Sequence, residues 1–257
     1  MKLHYVEYGK GHRKTVIVLH GLLGSERNWH TIARRMGDLF HLLIPDLRNH
    51  GVSPHDPVHS IVSMREDLEV FIDEHIHNPF YLIGHSMGGH VAMNYAFYHP
   101  AMLHSLIVED IAPRSYGTGL IEIIQAMQDI KLSQFKEKKQ VELALENKIK
   151  NRGVRQFVIT NLVRHHDVLS WRVNLPALKH FAEHEIVRFK AHDYHEFNGP
   201  TLFIGGENSQ YHLKKDESLI KKHFPKARIE MVEHAGHWIH HENPERFYKL
   251  VTDFVNE

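Results

Sequence analysis

Short apolar runs bounded by glycine or proline recur along the chain, at residues 15–19, 40–44, 80–83, 106–108, 201–204 and 228–232. Each is too short for a helix and reads as a buried strand of a parallel sheet. The first residues, 1–11, alternate apolar and polar positions as a strand does. Helical periodicity fills the intervals, over 64–75, 87–98 and 213–223, and Pro244-Glu245 followed by Phe247, Leu250, Val251 and Phe254 opens a C-terminal helix. Strands alternating with helices predict an α/β fold, a mostly parallel sheet with helices on both faces. One stretch breaks the alternation. Residues 112–198 are helical in pattern and charged, with no convincing buried strand. They read as a helical insertion between two strands of the core, which divides the chain into core 1–111, insertion 112–198 and core 199–257. The run Lys136-Glu137-Lys138-Lys139 inside the insertion reads as a solvated helix face.

Composition narrows the picture. The 257 residues, 42% hydrophobic and 24% charged, suit one large domain carrying an insertion and exclude a disordered or fibrous chain. Lysine plus arginine equals aspartate plus glutamate at 31 each, so no net field draws the chain to nucleic acid or an anionic membrane. With no cysteine, disulfides, zinc–thiolate sites, iron–sulfur clusters and cysteine nucleophiles are all excluded. The N-terminus has no apolar signal-peptide core, and no apolar run approaches the roughly 20 residues that span a bilayer. A cytoplasmic protein is expected.

The sharpest chemical signal is Gly84-His85-Ser86-Met87-Gly88-Gly89, between a predicted strand and a predicted helix. A serine nucleophile needs a tight strand-to-helix turn, with small residues where the backbone crowds. The bland reading is a turn whose serine caps a helix. His20-Gly21-Leu22-Leu23-Gly24-Ser25 follows another strand, and its glycines suit a loop that presents backbone N–H groups to an oxyanion. Met87 and Leu22 are the expected donors; no Gly-Lys-Ser/Thr follows, which disfavours a phosphate loop. With 26 histidines, residue type alone cannot select a base. His237, in His234-Ala235-Gly236-His237-Trp238, lies between the last strand and last helix, at the sheet edge where open α/β folds bind ligands. His234, His240 and His241 read as surface or structural, and the His85 side chain is expected to point elsewhere. His234, His237 and His240 are spaced three apart but lack the glutamate of zinc-protease motifs, and His184-Glu185 lacks a second histidine, so no metal is expected. The acid is ambiguous on spacing. Asp110 ends a strand on the same edge as Ser86 and is preferred, with the adjacent Glu109 structural; Glu207 in Gly205-Gly206-Glu207-Asn208-Ser209 is its rival.

In this order the pieces resemble the α/β-hydrolase superfamily over essentially the whole chain. Residues 46–53 (Asp-Leu-Arg-Asn-His-Gly-Val-Ser), 109–113, 155–162, 171–175 and 205–211 are similar to the small bacterial YbfF-type esterases. The resemblance implies hydrolysis of short acyl esters and acyl-CoA thioesters by a serine, histidine and aspartate, without a cofactor, beneath a helical cap inserted after the sixth strand. It also implies that the acid follows that strand. That favours Asp110 and puts Ser209 where most of the superfamily carries aspartate, as a possible auxiliary. Phe157 and Trp171 are candidates for an acyl pocket, with packing inside the cap the simpler reading. The expected partner is a small acyl ester or thioester. Carbon–carbon bond hydrolysis or acyl transfer on the same scaffold, and a binding scaffold without turnover, are the alternatives.

Overall fold

The computed structural model describes residues 1–116, 119–184 and 191–257. The apolar runs of the sequence pair into one sheet. Its strands are β1 (Tyr5–Tyr8), β2 (Thr15–Leu19), β3 (His41–Pro45), β4 (Phe80–His85) and β5 (Leu103–Glu109), with β8 (Thr201–Gly206) and β9 (Ala227–Val232) from the later part of the chain. The order across the sheet is β1-β3-β2-β4-β5-β8-β9. Every pairing is parallel except β1 with β3. Alternation along a strand splits the core into two layers. Ile17 and Leu19 join the layer that holds Leu68, Phe71 and Val91, while Val16 and Val18 join the one with Trp29, Met36, Phe247 and Val251.

The first layer is covered by α2 (Ile61–His75), α3 (Met87–Tyr98) and α8 (Glu217–His223), the second by α1 (His30–Met36) and α10 (Pro244–Asn256), with α9 (Ile239–Glu242) leading into α10. Ser60 caps α2, its hydroxyl accepting the Ser63 N–H at 3.0 Å, so that helix starts before residue 64. The helical pattern at 213–223 divides instead into a 3₁₀ turn, Leu213–Asp216, and α8.

β5 and β8 are neighbours in the sheet, and the insertion runs between them. Counted along this chain it leaves after the fifth strand rather than a sixth. It contains α4 (Gly119–Asp129), α5 (Lys138–Ala144), α6 (Arg152–Ile159) and α7 (Leu175–His184). It also contains a hairpin that the sequence pattern does not reveal, β6 (Leu162–His165) antiparallel to β7 (Val168–Trp171). Only Leu162 and Leu169 of these strands are buried. The connecting pair, His166-Asp167, adopts φ of 43° and 64° without a glycine, so the usual sequence signal for a two-residue turn is missing. Within the 112–198 stretch, 117–118 and 185–190, including Glu185 beside His184, lie outside the described residues. Among the described residues no helix is long and apolar enough to cross a membrane.

Candidate active site

Ser86 joins β4 to α3 with φ 51° and ψ −117°, a conformation that costs a serine about 1–3 kcal/mol and persists only where its surroundings enforce it. The enforcement is steric. A Cβ on Gly84 would stand 2.4 Å from the Gly88 carbonyl oxygen, and one on Gly88 would stand 2.6 Å from the His20 carbonyl oxygen. Glycine two residues before and after the serine is therefore demanded by backbone against backbone, not by turn preference alone. The Ser86 N–H donates to Glu109 O at 3.0 Å and its carbonyl accepts the His90 N–H at 3.1 Å, fixing the turn to β5 and to α3.

Parallel registry brings the ends of β4, β5 and β8 to one edge, with His85 opposite Glu109 and Glu109 opposite Ile204. Asp110 follows β5 at φ 52° and is fully buried. Its Oδ2 lies 2.7 Å from His237 Nδ1 and also accepts the Ser209 hydroxyl, while Oδ1 accepts the Gly206 N–H at 3.0 Å. A carboxylate can only accept here, so the neutral form of His237 is the tautomer with its proton on Nδ1 and Nε2 bare. The Tyr211 ring stacks on His237 at 4.3 Å and 21°, and its hydroxyl interacts with the Ser86 side chain. Burial pushes that phenol up to about 12, so it stays protonated at neutral pH. Sequence reasoning misses Tyr211 as a site residue, although it closes the 205–211 segment.

Ser86, His237, Ser209, Tyr211 and Leu22 line one cavity of about 450 Å³. Its upper wall comes from the insertion: Leu120 and Ile123 of α4, Val154, Phe157 and Val158 of α6. Phe157 meets the Trp238 ring at 5.2 Å, whereas Trp171 donates its indole N–H to Met127 O at 2.9 Å inside the insertion. Of the two aromatic candidates, Phe157 lines the cavity and Trp171 packs. Met87 is the first residue of α3, directly after Ser86, and Leu22, in the loop after β2, lines the cavity.

The remaining candidates separate from this cluster. Glu109, fully buried, accepts both the N–H and the Nδ1–H of His240 at 2.9 Å. Burial raises Glu109 to about 7 and drops His240 to about 3, which keeps that imidazole a neutral donor stacked on Trp29 at 4.2 Å. Glu207 is exposed and its nearest bond, 3.5 Å, is from the His234 N–H. His85 departs from expectation. Its ring lies 4.6 Å from that of His237, and its Nε2–H donates to His237 O at 2.9 Å, so it turns toward His237 rather than away from it. Burial holds His85 down to about 3. Among the described residues one group has metal-ligating side chains close together, His4, Glu26 and Asp46, but both Asp46 oxygens already accept backbone N–H groups, from Glu26 and Val52 at 2.8 Å.

Residues 16–250 match the alpha/beta hydrolase family. The chain is 37% identical over 255 residues to the sn-1-specific diacylglycerol lipase ABHD11 of Danio rerio, covering 96% of this chain and 80% of that protein. It is 30% identical over 245 residues to the esterase YbfF of Escherichia coli (strain K12), covering 94% of this chain and 93% of the other. A solved structure of a marine microorganism esterase is 36% identical, with TM-score 0.93, over 98% of this chain and 99% of that one. The relatives are named for ester cleavage, and the chain belongs to the alpha/beta hydrolase family as a hydrolase of the ester type.

Proposed function

We propose that the protein is a serine esterase in which Ser86 is the nucleophile, His237 the base and Asp110 the acid. The observation that carries this reading is the 2.7 Å bond between His237 Nδ1 and the buried Asp110, at a cavity that also exposes Ser86. Asp110 fixes the tautomer that leaves Nε2 free to take the Ser86 proton, and it stabilises the imidazolium that results. Ser86 Oγ attacks the acyl carbonyl, and the oxyanion is met by the backbone N–H groups of Leu22 and Met87, the latter at the positive end of α3. The imidazolium then protonates the leaving alcohol, and water, activated by the same His237, releases the acid from the acyl-enzyme. Ser209 is auxiliary: its hydroxyl fills acceptor capacity on Asp110 that would otherwise lie unpaired.

The stretch 112–198 serves as the cap, and its side chains at Leu120, Ile123, Val154 and Phe157 form an apolar acyl site. Short to medium acyl esters are the preferred substrates. Acyl-CoA thioesters are a second leaving-group class served by the same chemistry, and the relatives' names favour the oxygen esters. Purified protein should release p-nitrophenol from short p-nitrophenyl esters and label at Ser86 with a fluorophosphonate. Ser86→Ala should do neither; undiminished release by that variant would remove the proposal. Comparing kcat/KM for acyl esters with the matching CoA thioesters ranks the two leaving groups.

A further inference from the structure

Leu23 follows the proposed oxyanion donor Leu22 and adopts φ 62°, a left-handed conformation that leucine keeps only when its surroundings hold it there. It is held from two sides. On the core side its N–H donates to His50 Nε2 at 3.1 Å, while His50 Nδ1 bonds the Arg48 carbonyl at 2.9 Å. A carbonyl only accepts and an amide N–H only donates, so the two bonds define one neutral tautomer with the proton on Nδ1. His50 is fully buried, with the rings of His20 and His59 at 5.0 and 5.5 Å. Burial, reinforced by those two imidazoles, holds His50 well below the usual histidine value. It therefore remains an acceptor throughout the range in which a histidine base works. His20 is pinned in the same tautomer, between Gly21 O at 2.9 Å and the Leu47 N–H at 2.9 Å.

On the other side, the Leu23 carbonyl accepts the Asn161 side-chain N–H at 2.7 Å. Asn161 is buried between α6 and β6, in the insertion, and its own carbonyl accepts the Arg172 N–H at 2.8 Å. The Gly24 N–H closes the turn on Gly21 O at 2.9 Å. With both peptide groups of Leu23 tied the turn stays closed, and because Gly21 O and the Leu22 N–H share one planar trans peptide, the bonds that Gly24 and His20 make to Gly21 O set the direction of the Leu22 N–H.

We infer that His50 and Asn161 are positioning residues for the oxyanion loop, one from the core and one from the insertion, so that the hole is complete only while the insertion is seated. The inference rests on the serine-esterase reading above. Neither residue lines the cavity, and both act through Leu23. A buried ring and a buried amide also stabilise the fold, so a drop in stability alone says nothing about positioning.

The test compares His50→Leu and Asn161→Leu, which remove the acceptor and the donor, with His50→Gln, which returns an acceptor near the Nε2 position. Active sites are counted by fluorophosphonate titration, so that unfolded protein does not enter the rates. Per titrated site, both leucine variants should lose kcat by tenfold or more, with KM changed less than about twofold, because a misdirected donor weakens the transition state more than the ground state. Inhibition by a short alkyl boronic acid, which forms a tetrahedral adduct on the serine with an oxygen in the hole, should weaken by a similar factor. His50→Gln should recover most of both. If either leucine variant does not fold, His50→Phe and Asn161→Asp carry the same two arms, the first keeping a ring without the acceptor, the second removing the donor and facing the Leu23 carbonyl with a charge. Wild-type kcat and boronate inhibition per site in either the His50 or the Asn161 arm overturns the inference for that residue. A boronate that fails to inhibit the wild-type protein overturns the serine-esterase reading itself, and this inference with it.

Discussion

Asp110 is a buried carboxylate that meets three donors, His237, Ser209 and the Gly206 N–H, so its charge is compensated only while all are in place. Replacing it with asparagine keeps the shape, permits the wrong imidazole tautomer and removes the charge that steadies the imidazolium. Asp110→Asn should lose about a thousandfold or more in kcat. Ser209→Ala removes one hydroxyl bond, of about 0.5–1.5 kcal/mol for a neutral pair and somewhat more to a carboxylate, so turnover should fall by roughly tenfold. Glu207→Gln should leave the rate unchanged, since its carboxylate is exposed and does not reach His237. Steady-state kinetics on the three purified variants checks the order; a crippled Glu207→Gln beside an active Asp110→Asn would reassign the acid. At this scale Ser86 and His237 are singled out by glycine spacing and loop position, and Asp110 by its place at a strand end, a choice over Glu207 that the family resemblance then favours. Tyr211 and the inward turn of His85 are not legible, because ring stacking and a side chain to backbone bond across 152 positions leave no local pattern.

Among the elements, the strands of the sheet are the most readable, because a run buried on both faces is apolar at every position. Their ends are less so: β4 and β8 continue through Gly84-His85 and Gly205-Gly206, residues that suggest a turn yet remain in register. The hairpin of β6 and β7 escapes for the opposite reason, being half exposed and closed by a turn without glycine. The β4–α3 turn has the least room for change. A Cβ at Gly88 would meet the Leu19 and His20 carbonyl oxygens at 2.7 and 2.6 Å, both of them backbone, so β2 or α3 must move. Gly88→Ala should cost about 1–3 kcal/mol of stability by overpacking and lower kcat more than that loss of folded protein explains. Chemical denaturation together with active-site titration separates the two effects.

For the whole molecule, the histidine content makes acid stability a property of burial. His59, His85 and His240 are lowered to about 3 and His90 to about 4, all first by burial. His20 and His50 move in the same direction. Each imidazole binds a proton near pH 6.5 when the chain is unfolded but resists it when folded, so stability falls as pH drops below about 6.5 toward those lower values. Each contributes a slope of up to about 1.4 kcal/mol per pH unit across that window. Glu109, raised to about 7, runs the other way between its ordinary range and neutrality and offsets about one histidine there. Urea midpoints should therefore decline steeply from pH 6.5 to 5; midpoints flat over that range would mean that these rings are protonated in the folded protein. Composition announces the 26 histidines, but only packing says which are enclosed.

Ser209 and His237 share a single oxygen of Asp110, although one residue follows β8 and the other follows β9. The hydroxyl thus marks a second place from which a carboxylate could approach the same imidazole. The acid is in this sense portable between neighbouring strands. A chain holding both carboxylates would be an intermediate in which the two acids, in contact, share one proton and present one net charge to the histidine. Ser209→Asp would reproduce that intermediate, and adding Asp110→Ser would complete the exchange. Recovery of kcat in the double variant above the level of Asp110→Ser alone would show that the position of the acid is historical rather than dictated by the sheet.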